Sequence, residues 1–118
     1  MRHMRAHRKL GRVKRVRTAL LTSLARSLIL KEGITTTVAK AKELRPLVER
    51  LVSVSKQDSL ISRRRMASEF NGDAEVVAKL HGELAERFAS RKGGYTRIVR
   101  LGRVGKRAIE SARIEFVK

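Results

Sequence analysis

The chain contains no cysteine and no tryptophan, one proline, and four aromatic residues in 118. Acid is also scarce. Eleven Asp and Glu stand against 29 Lys and Arg, a formal charge of +18. Without cysteine, disulfides, Cys-zinc sites, iron–sulfur clusters and thiol nucleophiles are excluded. No apolar run approaches the ~20 residues of a membrane span. The most apolar stretch, Ala19 to Leu30, is broken by Thr22, Ser23, Arg26 and Ser27. Arg26 also spoils it as a signal peptide. An Arg-rich transit peptide is the minor reading, since no acid precedes Glu32.

The few rings bear on nucleic-acid recognition. Single-strand readers stack bases on exposed aromatics. Here Phe70, Phe88 and Phe116 fit core positions, and Tyr95 reads as a half-buried strand residue. Stacking is therefore disfavoured, which leaves backbone and shape recognition by basic side chains. Nineteen of the 29 basic residues are Arg, whose planar fork pairs bidentately with phosphate and stacks on exposed bases. That leans toward folded RNA over DNA.

The charge is concentrated in two blocks. Residues 1–17 hold eight basic residues and no acid, and residues 91–107 hold seven and no acid. The intervening body is nearly neutral. A chain of one-domain length with two cationic extremities has the pattern of a phosphate-backbone binder. It argues against a free-standing small-molecule enzyme.

The arm, residues 1–17, lacks apolar periodicity and is expected to be disordered until its charges meet phosphates. Residues 18–118 read as one globular domain. A helix starts near Thr18, its expected N-cap, with Leu20, Leu21, Leu24, Ala25, Leu28 and Ile29 inward, and Gly33 closes it. The β-branched run Ile34 to Val38 is a strand. A second helix spans about Ala39 to Lys56, with Pro46 marking a late start or a kink near Glu43. A third runs from Asp58 or Ser59 to Phe70, with Leu60, Ile61, Met66, Ala67 and Phe70 inward. Asp73 caps a fourth, which buries Val76, Val77, Leu80, Leu84, Ala85 and Phe88. Strands follow from Tyr95 to Leu101 and from Ala112 to Val117, joined by a basic loop at 102–108. The architecture is α/β in two layers (α+β): helix, strand, three helices, two strands. The helices pack on one face of a small three-stranded sheet.

Chemistry beyond binding has little support. His3 and His7 lie in the arm and His81 reads as a solvated helix residue, so no set of about four zinc ligands forms. The acids sit at helix-pair spacings such as Glu83 to Arg87, and no serine or threonine has a partner base in view. No cofactor, metal or small-molecule substrate is expected. Gly93-Gly94 is first a turn. Beside Arg91 and Lys92 it is also a concavity of backbone donors that a phosphate can approach. Arg63-Arg64-Arg65 is a local positive spot suited to phosphate. Arg97 and Arg100 point to opposite faces of their strand.

Several segments together resemble the bacterial large-subunit ribosomal protein family seventeen. They are Met1-Arg2-His3, Arg8-Lys9-Leu10-Gly11-Arg12, Ser27-Leu28-Ile29, the run Ile34-Thr35-Thr36-Thr37 through Lys42-Glu43-Leu44-Arg45-Pro46, Ala78-Lys79-Leu80, and Phe88 through Ile98. The resemblance implies a structural protein with no catalysis. It would bind large-subunit ribosomal RNA near the peptide-tunnel exit, beside neighbouring large-subunit ribosomal proteins and away from membranes. Its location would be the ribosome, in the cytoplasm or an organelle. Arg2, His3, Arg8, Lys9, Arg12 and the Arg91 to Arg97 block inherit RNA contact from the family. Two places depart from its pattern. Arg15-Val16-Arg17 and Thr22-Ser23 replace a Ser-His-Arg and an Arg-Asn, and Gly105-Lys106-Arg107-Ala108 lacks the usual Gly-Asp and Ala-Pro.

The expected RNA-contacting set is Arg2, His3, Arg5, Arg8, Lys9, Arg12, Lys14, Arg15 and Arg17 in the arm, with Arg63, Arg64 and Arg65 on the third helix. Arg91, Lys92, Gly93, Gly94, Arg97, Arg100, Arg103, Lys106 and Arg107 complete it. The alternative reading is a non-specific, nucleoid-type DNA-binding protein. A nucleic-acid-processing enzyme would need clustered metal-binding carboxylates, and a membrane-active peptide would not need so well-patterned a core.

Overall fold

A computed structural model describes His3 and residues 5–118. Arg2, one of the expected RNA contacts, lies outside the described residues. The element order is α1 (Lys14–Lys31), β1 (Gly33–Thr37), α2 (Val38–Ser55), α3 (Leu60–Glu69) and α4 (Ala74–Lys79). A π-helical turn, Leu80–Leu84, leads into a last helical turn, α5 (Ala85–Arg87), followed by β2 (Thr96–Val104) and β3 (Ile109–Phe116). The three strands form an antiparallel sheet in the order β1-β3-β2, with Ile114 opposite both Ile34 and Ile98. This is the α+β architecture expected from the sequence, with helix–sheet packing around one core.

The core is built from the expected stripes. Ala25, Leu28 and Ile29 of α1 meet Ala41, Leu44, Val48, Leu51 and Val52 of α2, above Ala112, Ile114 and Phe116 of β3. Val76, Leu80, Leu84 and Phe88 are buried at four-residue intervals. In a straight α-helix that interval drifts around the axis, because a turn takes 3.6 residues. The wider π turn at Leu80–Leu84 takes up the drift and keeps all four side chains inward. Phe88 packs against Tyr95 and Phe116, with ring centroids 5.1 and 6.1 Å away.

Several local expectations need correction. Helix α1 starts at Lys14, not near Thr18, and its N-cap position is Val13. Two consecutive left-handed residues, Leu10 and Gly11, turn the chain just before it, and Lys and Arg are good enough helix formers to extend the first turns. Glu32, not Gly33, takes the left-handed C-cap position, with φ 64°. Gly33 opens β1, where a Cβ would collide with the Arg113 guanidinium that crosses it. Helix α2 begins at Val38, capped by Thr37, so Pro46 is interior and does not mark a late start. Leu60 and Ile61 are exposed, because the buried stripe of α3 is Ser62, Met66 and Phe70. Strand β2 starts at Thr96 and runs on to Val104, and β3 begins at Ile109. The basic connection is thus a turn at 105–108 on a long hairpin.

His81 is buried, not solvated. Its Nε2 lies 2.6 Å from Ser62 Oγ and its Nδ1 3.1 Å from the Val77 carbonyl. Ser62 therefore has a ring nitrogen beside it, contrary to the expectation that no serine would. The Val77 carbonyl occupies the side of the ring where a catalytic carboxylate would stand, and the pair clamps α3 to the π turn.

Candidate nucleic-acid interface

The interface has four parts. In the arm, His3, Arg5, Arg8, Lys9 and Arg12 are all exposed. The arm rests against the start of α2. Arg8 Nη1 donates to the Ala39 carbonyl at 3.3 Å, and His7 Nδ1 lies 3.8 Å from Glu43 Oε2. Arg12 turns back to donate to the Leu10 carbonyl at 2.6 Å and accepts from Arg17 through its own carbonyl.

The second part is the start of α1. Its first turn carries Lys14, Arg15 and Arg17, no acid, and no side-chain cap. Cations at a helix N-terminus oppose the helix dipole, and the first backbone N–H groups lack partners. An anion placed there would offset both penalties at once.

Beside it lies the third part, a cleft of about 640 Å³ between α1 and the α3–α4 turn, lined by Arg15, Thr18, Thr22, Ser23, Arg26 and Asn71 among others. Arg26 Nε bridges to Asp73 Oδ2 at 2.5 Å across it. The bridge holds the Asp73 carboxyl below its ordinary range, helped by the Val76 backbone N–H that the same carboxylate caps. Sequence reasoning missed the polar lining residues Thr18, Thr22, Ser23 and Asn71. The available signal was the Thr22-Ser23 interruption of an otherwise apolar helix.

The β2–β3 hairpin is the fourth part. Residues 97 and 99–110 are all exposed, and Arg100, Arg103, Lys106 and Arg107 make no ion pair among the described residues. Lower on the sheet, Glu115 sits between Arg97 and Arg113, at 2.7 and 3.1 Å, and both guanidiniums hold its carboxyl below the usual range. The Arg63 guanidinium is likewise committed to Asp58 through two bonds of 2.7 and 3.1 Å, which lower the Asp58 pKa. Arg64 and Arg65 are exposed beside it. The expected set is thus split between cations already paired with acid and cations left for a partner.

The Gly93-Gly94 turn is positioned with care. Arg91 Nε donates to the Gly93 carbonyl, while the Arg91 carbonyl accepts from Lys56 Nζ and from the Tyr95 hydroxyl. The same hydroxyl accepts from Lys56 at 3.0 Å and Ser53 at 3.3 Å, and these donors pull its pKa below the ordinary tyrosine value. Tyr95 is 1% exposed, so it is a core pin and cannot stack on a base. Arg91, Lys92, Gly93 and Gly94 remain at the surface.

These features define an α+β protein with cationic extremities on a largely acid-balanced body. Among the described residues, no group of three or more His, Cys, Asp and Glu could hold a metal ion, and no helix is long and apolar enough to cross a membrane.

The family follows from comparison. Residues 20–117 match the family described as ribosomal protein L17. Over 118 residues the chain is 49% identical to the large ribosomal subunit protein bL17 of Rhodopseudomonas palustris, an alignment covering 99% of this chain and 86% of that one. The bL17 proteins of Sphingopyxis alaskensis and Bradyrhizobium diazoefficiens are 49% and 48% identical, with 99% of this chain and 84% of each relative covered. The chain belongs to the ribosomal protein L17 family, whose members are ribosomal structural components and not enzymes.

Proposed function

We propose that this chain is a structural constituent of the large ribosomal subunit that binds and helps order large-subunit ribosomal RNA. The observation that carries the reading, beyond family membership, is the separation of paired from free cations. Arg26, Arg45, Arg63, Arg87, Arg97 and Arg113 are paired with acid, while Lys14, Arg15, Arg64, Arg65, Arg100, Arg103, Lys106 and Arg107 have no acid partner among the described residues. Free guanidiniums at the extremities neutralise phosphates that would otherwise repel as RNA helices pack. The polar cleft beside Arg15 adds hydroxyl and amide groups suited to ribose and phosphate oxygens. Arg2, His3, Arg5, Arg8, Lys9, Arg12, Arg17, Arg91, Lys92, Gly93 and Gly94 complete the proposed contact set. Resemblance to the family supports a position on the outer side of the subunit near the peptide-tunnel exit, beside neighbouring ribosomal proteins. No catalytic step is assigned.

Competition binding tests the reading at about 0.2 M salt, near the upper end of the range where phosphate contacts dominate. Labelled large-subunit ribosomal RNA is challenged with equal masses of itself, unrelated folded RNA or duplex DNA. Strong competition by ribosomal RNA alone, weakened by deleting residues 1–12, is the expected result. Equal competition by all three would reduce the interaction to charge and favour a DNA-compacting protein.

A further inference from the structure

The arginines of the β2–β3 hairpin have a use on RNA, but its aliphatic side chains do not. Val99, Leu101, Val104 and Ile109 are 44–51% exposed on one hairpin. Val104 and Ile109 face each other in register, and Val99 shares their side of the pleat beyond the bulge at Arg100/Gly102. Gly102 contributes no side chain between them. Phosphate and ribose offer little to such a surface, and leaving it in water forgoes the gain of burying apolar area.

A second observation concerns the backbone. In the order β1-β3-β2, strand β2 pairs only with β3 and has one open edge along its nine residues. It contains no proline. Open edges invite another strand, and proteins guard them with charge and bulges. Both guards are here, and their sign is informative. Arg100 and Arg103 would confront their own copies if a second molecule of this chain added at the edge, which like-charge repulsion disfavours. An acidic strand meets the opposite situation, because the chain has no acid anywhere from residue 91 to 107.

We infer that the open edge and aliphatic side of β2 dock an extended segment of a neighbouring protein in which acidic and aliphatic residues alternate, added as a fourth strand. Backbone hydrogen bonds supply the pairing, the aliphatic positions cover Val99 and Val104, and the acids on the other side of the added strand meet Arg100 and Arg103. The inference deepens the proposed function, since it names the surface that a protein neighbour uses along the edge of β2, while the arm, α1 and the tip of the hairpin hold RNA.

The test uses the full chain and a labelled nine-residue peptide alternating Glu and Val, read by fluorescence anisotropy. Control peptides alternate Glu with Ser or Lys with Val, and a fourth carries N-methyl groups at alternate positions. The variant Val99→Thr/Val104→Thr/Ile109→Thr changes only exposed positions and keeps strand-compatible residues. The expected result is binding of the Glu–Val peptide roughly tenfold tighter than any control peptide, with a similar loss in the triple variant. Ribosomal RNA affinity, titrated in parallel, stays unchanged in that variant. Equal binding of the Glu–Ser peptide would reduce the contact to charge and overturn the inference. So would indifference to N-methylation or to the triple substitution. If the variant loses RNA affinity instead, the aliphatic residues belong to the RNA surface and the inference fails while the RNA reading stands. Failure of the wild-type chain to prefer ribosomal RNA would refute the RNA reading separately.

Discussion

The split between paired and free cations predicts that two variants with the same change in net charge behave differently. The first is Arg103→Gln/Lys106→Gln/Arg107→Gln, three hairpin cations with no acid partner among the described residues. The second is Arg26→Gln/Arg63→Gln/Arg97→Gln, three cations held at 2.5 to 2.7 Å by Asp73, Asp58 and Glu115. Removing one phosphate-binding cation should flatten the plot of log affinity against log salt by roughly 0.7 to 0.9. Across a fourfold salt change that is about half a decade per cation, so three amount to roughly twenty- to fortyfold. The hairpin variant should reduce the slope by about 2 to 3, whereas the paired variant should reduce it by less than about 1. Filter binding of large-subunit ribosomal RNA at a series of potassium chloride concentrations from 50 to 200 mM, the range over which that slope is defined, reads both. Urea denaturation checks that each variant is folded, since exposed, solvent-screened ion pairs contribute little to stability. Equal slopes for the two variants would refute the reasoning, because net charge alone would then govern binding.

The structure sets four further expectations. Tyr95→Phe removes a hydroxyl bonded to Ser53, Lys56 and the Arg91 carbonyl. It should lower stability by about 1–2 kcal/mol in urea denaturation, and no change would mean that the hydroxyl does not pin the turn. Ser62→Ala leaves the buried His81 Nε2 without its partner and should cost about 1–3 kcal/mol by the same assay. Gly82→Ala meets open space at an ordinary φ and should stabilise the helix by up to about 1 kcal/mol, read as a rise in Tm. Asp58, Asp73 and Glu115 are held below the ordinary carboxylate range by Arg63, Arg26 and the Arg97–Arg113 pair. The unfolded chain therefore binds protons first on acidification. Their contribution is complete above the unfolded values near about pH 4 and is lost as pH falls through the lower folded ones. Tm should fall modestly below that point, because these pairs are screened by solvent, and a flat profile would contradict the ion-pair assignments.

The fold was legible in the sequence wherever one periodic stripe met one partner. The α2 pattern, the Asp73 cap and the inward alternation of Ala112, Ile114 and Phe116 all matched the structure. Errors clustered where local cues compete with tertiary ones. Gly33 resembles a helix stop, but it opens β1, and its neighbour is the Arg113 guanidinium, 80 residues away in sequence, which would have to shift for a Cβ. Leu60 and Ile61 are apolar yet exposed, since the core chose the opposite side of α3. His81 looked solvated because only the folded chain brings Ser62 to its ring. For the interface, residue type and charge blocks located the cations, but sequence did not reveal which ones acids neutralise. Asp58 and Arg63 are close neighbours in the chain, whereas Asp73 and Arg26 are 47 residues apart.

The placement of a few acids answers how a chain with so large a charge folds. Arg26–Asp73 ties α1 to the start of α4, and Arg87 ties α5 to Glu32 at the end of α1 and to Glu83. Arg97–Glu115–Arg113 ties β2 to β3, and Arg45–Glu49 lies along α2. Glu115 thus stands where β2 and β3 would otherwise bring two cations together, while Asp73 and Glu49 each pair an arginine at or along a core-forming helix. Most of what remains unbalanced lies in the arm, the first turn of α1, Arg64 and Arg65 of α3, and the hairpin. There, backbone is exposed and neighbouring charges can spread apart in solvent, which keeps self-repulsion low at moderate salt. The same separation leaves the unbalanced charge free for phosphate. On the proposed reading, extremities whose cations make no ion pair among the described residues have little internal competition when RNA arrives. Moving an acid into the hairpin, as in Lys106→Glu, would therefore weaken RNA binding without touching a core contact.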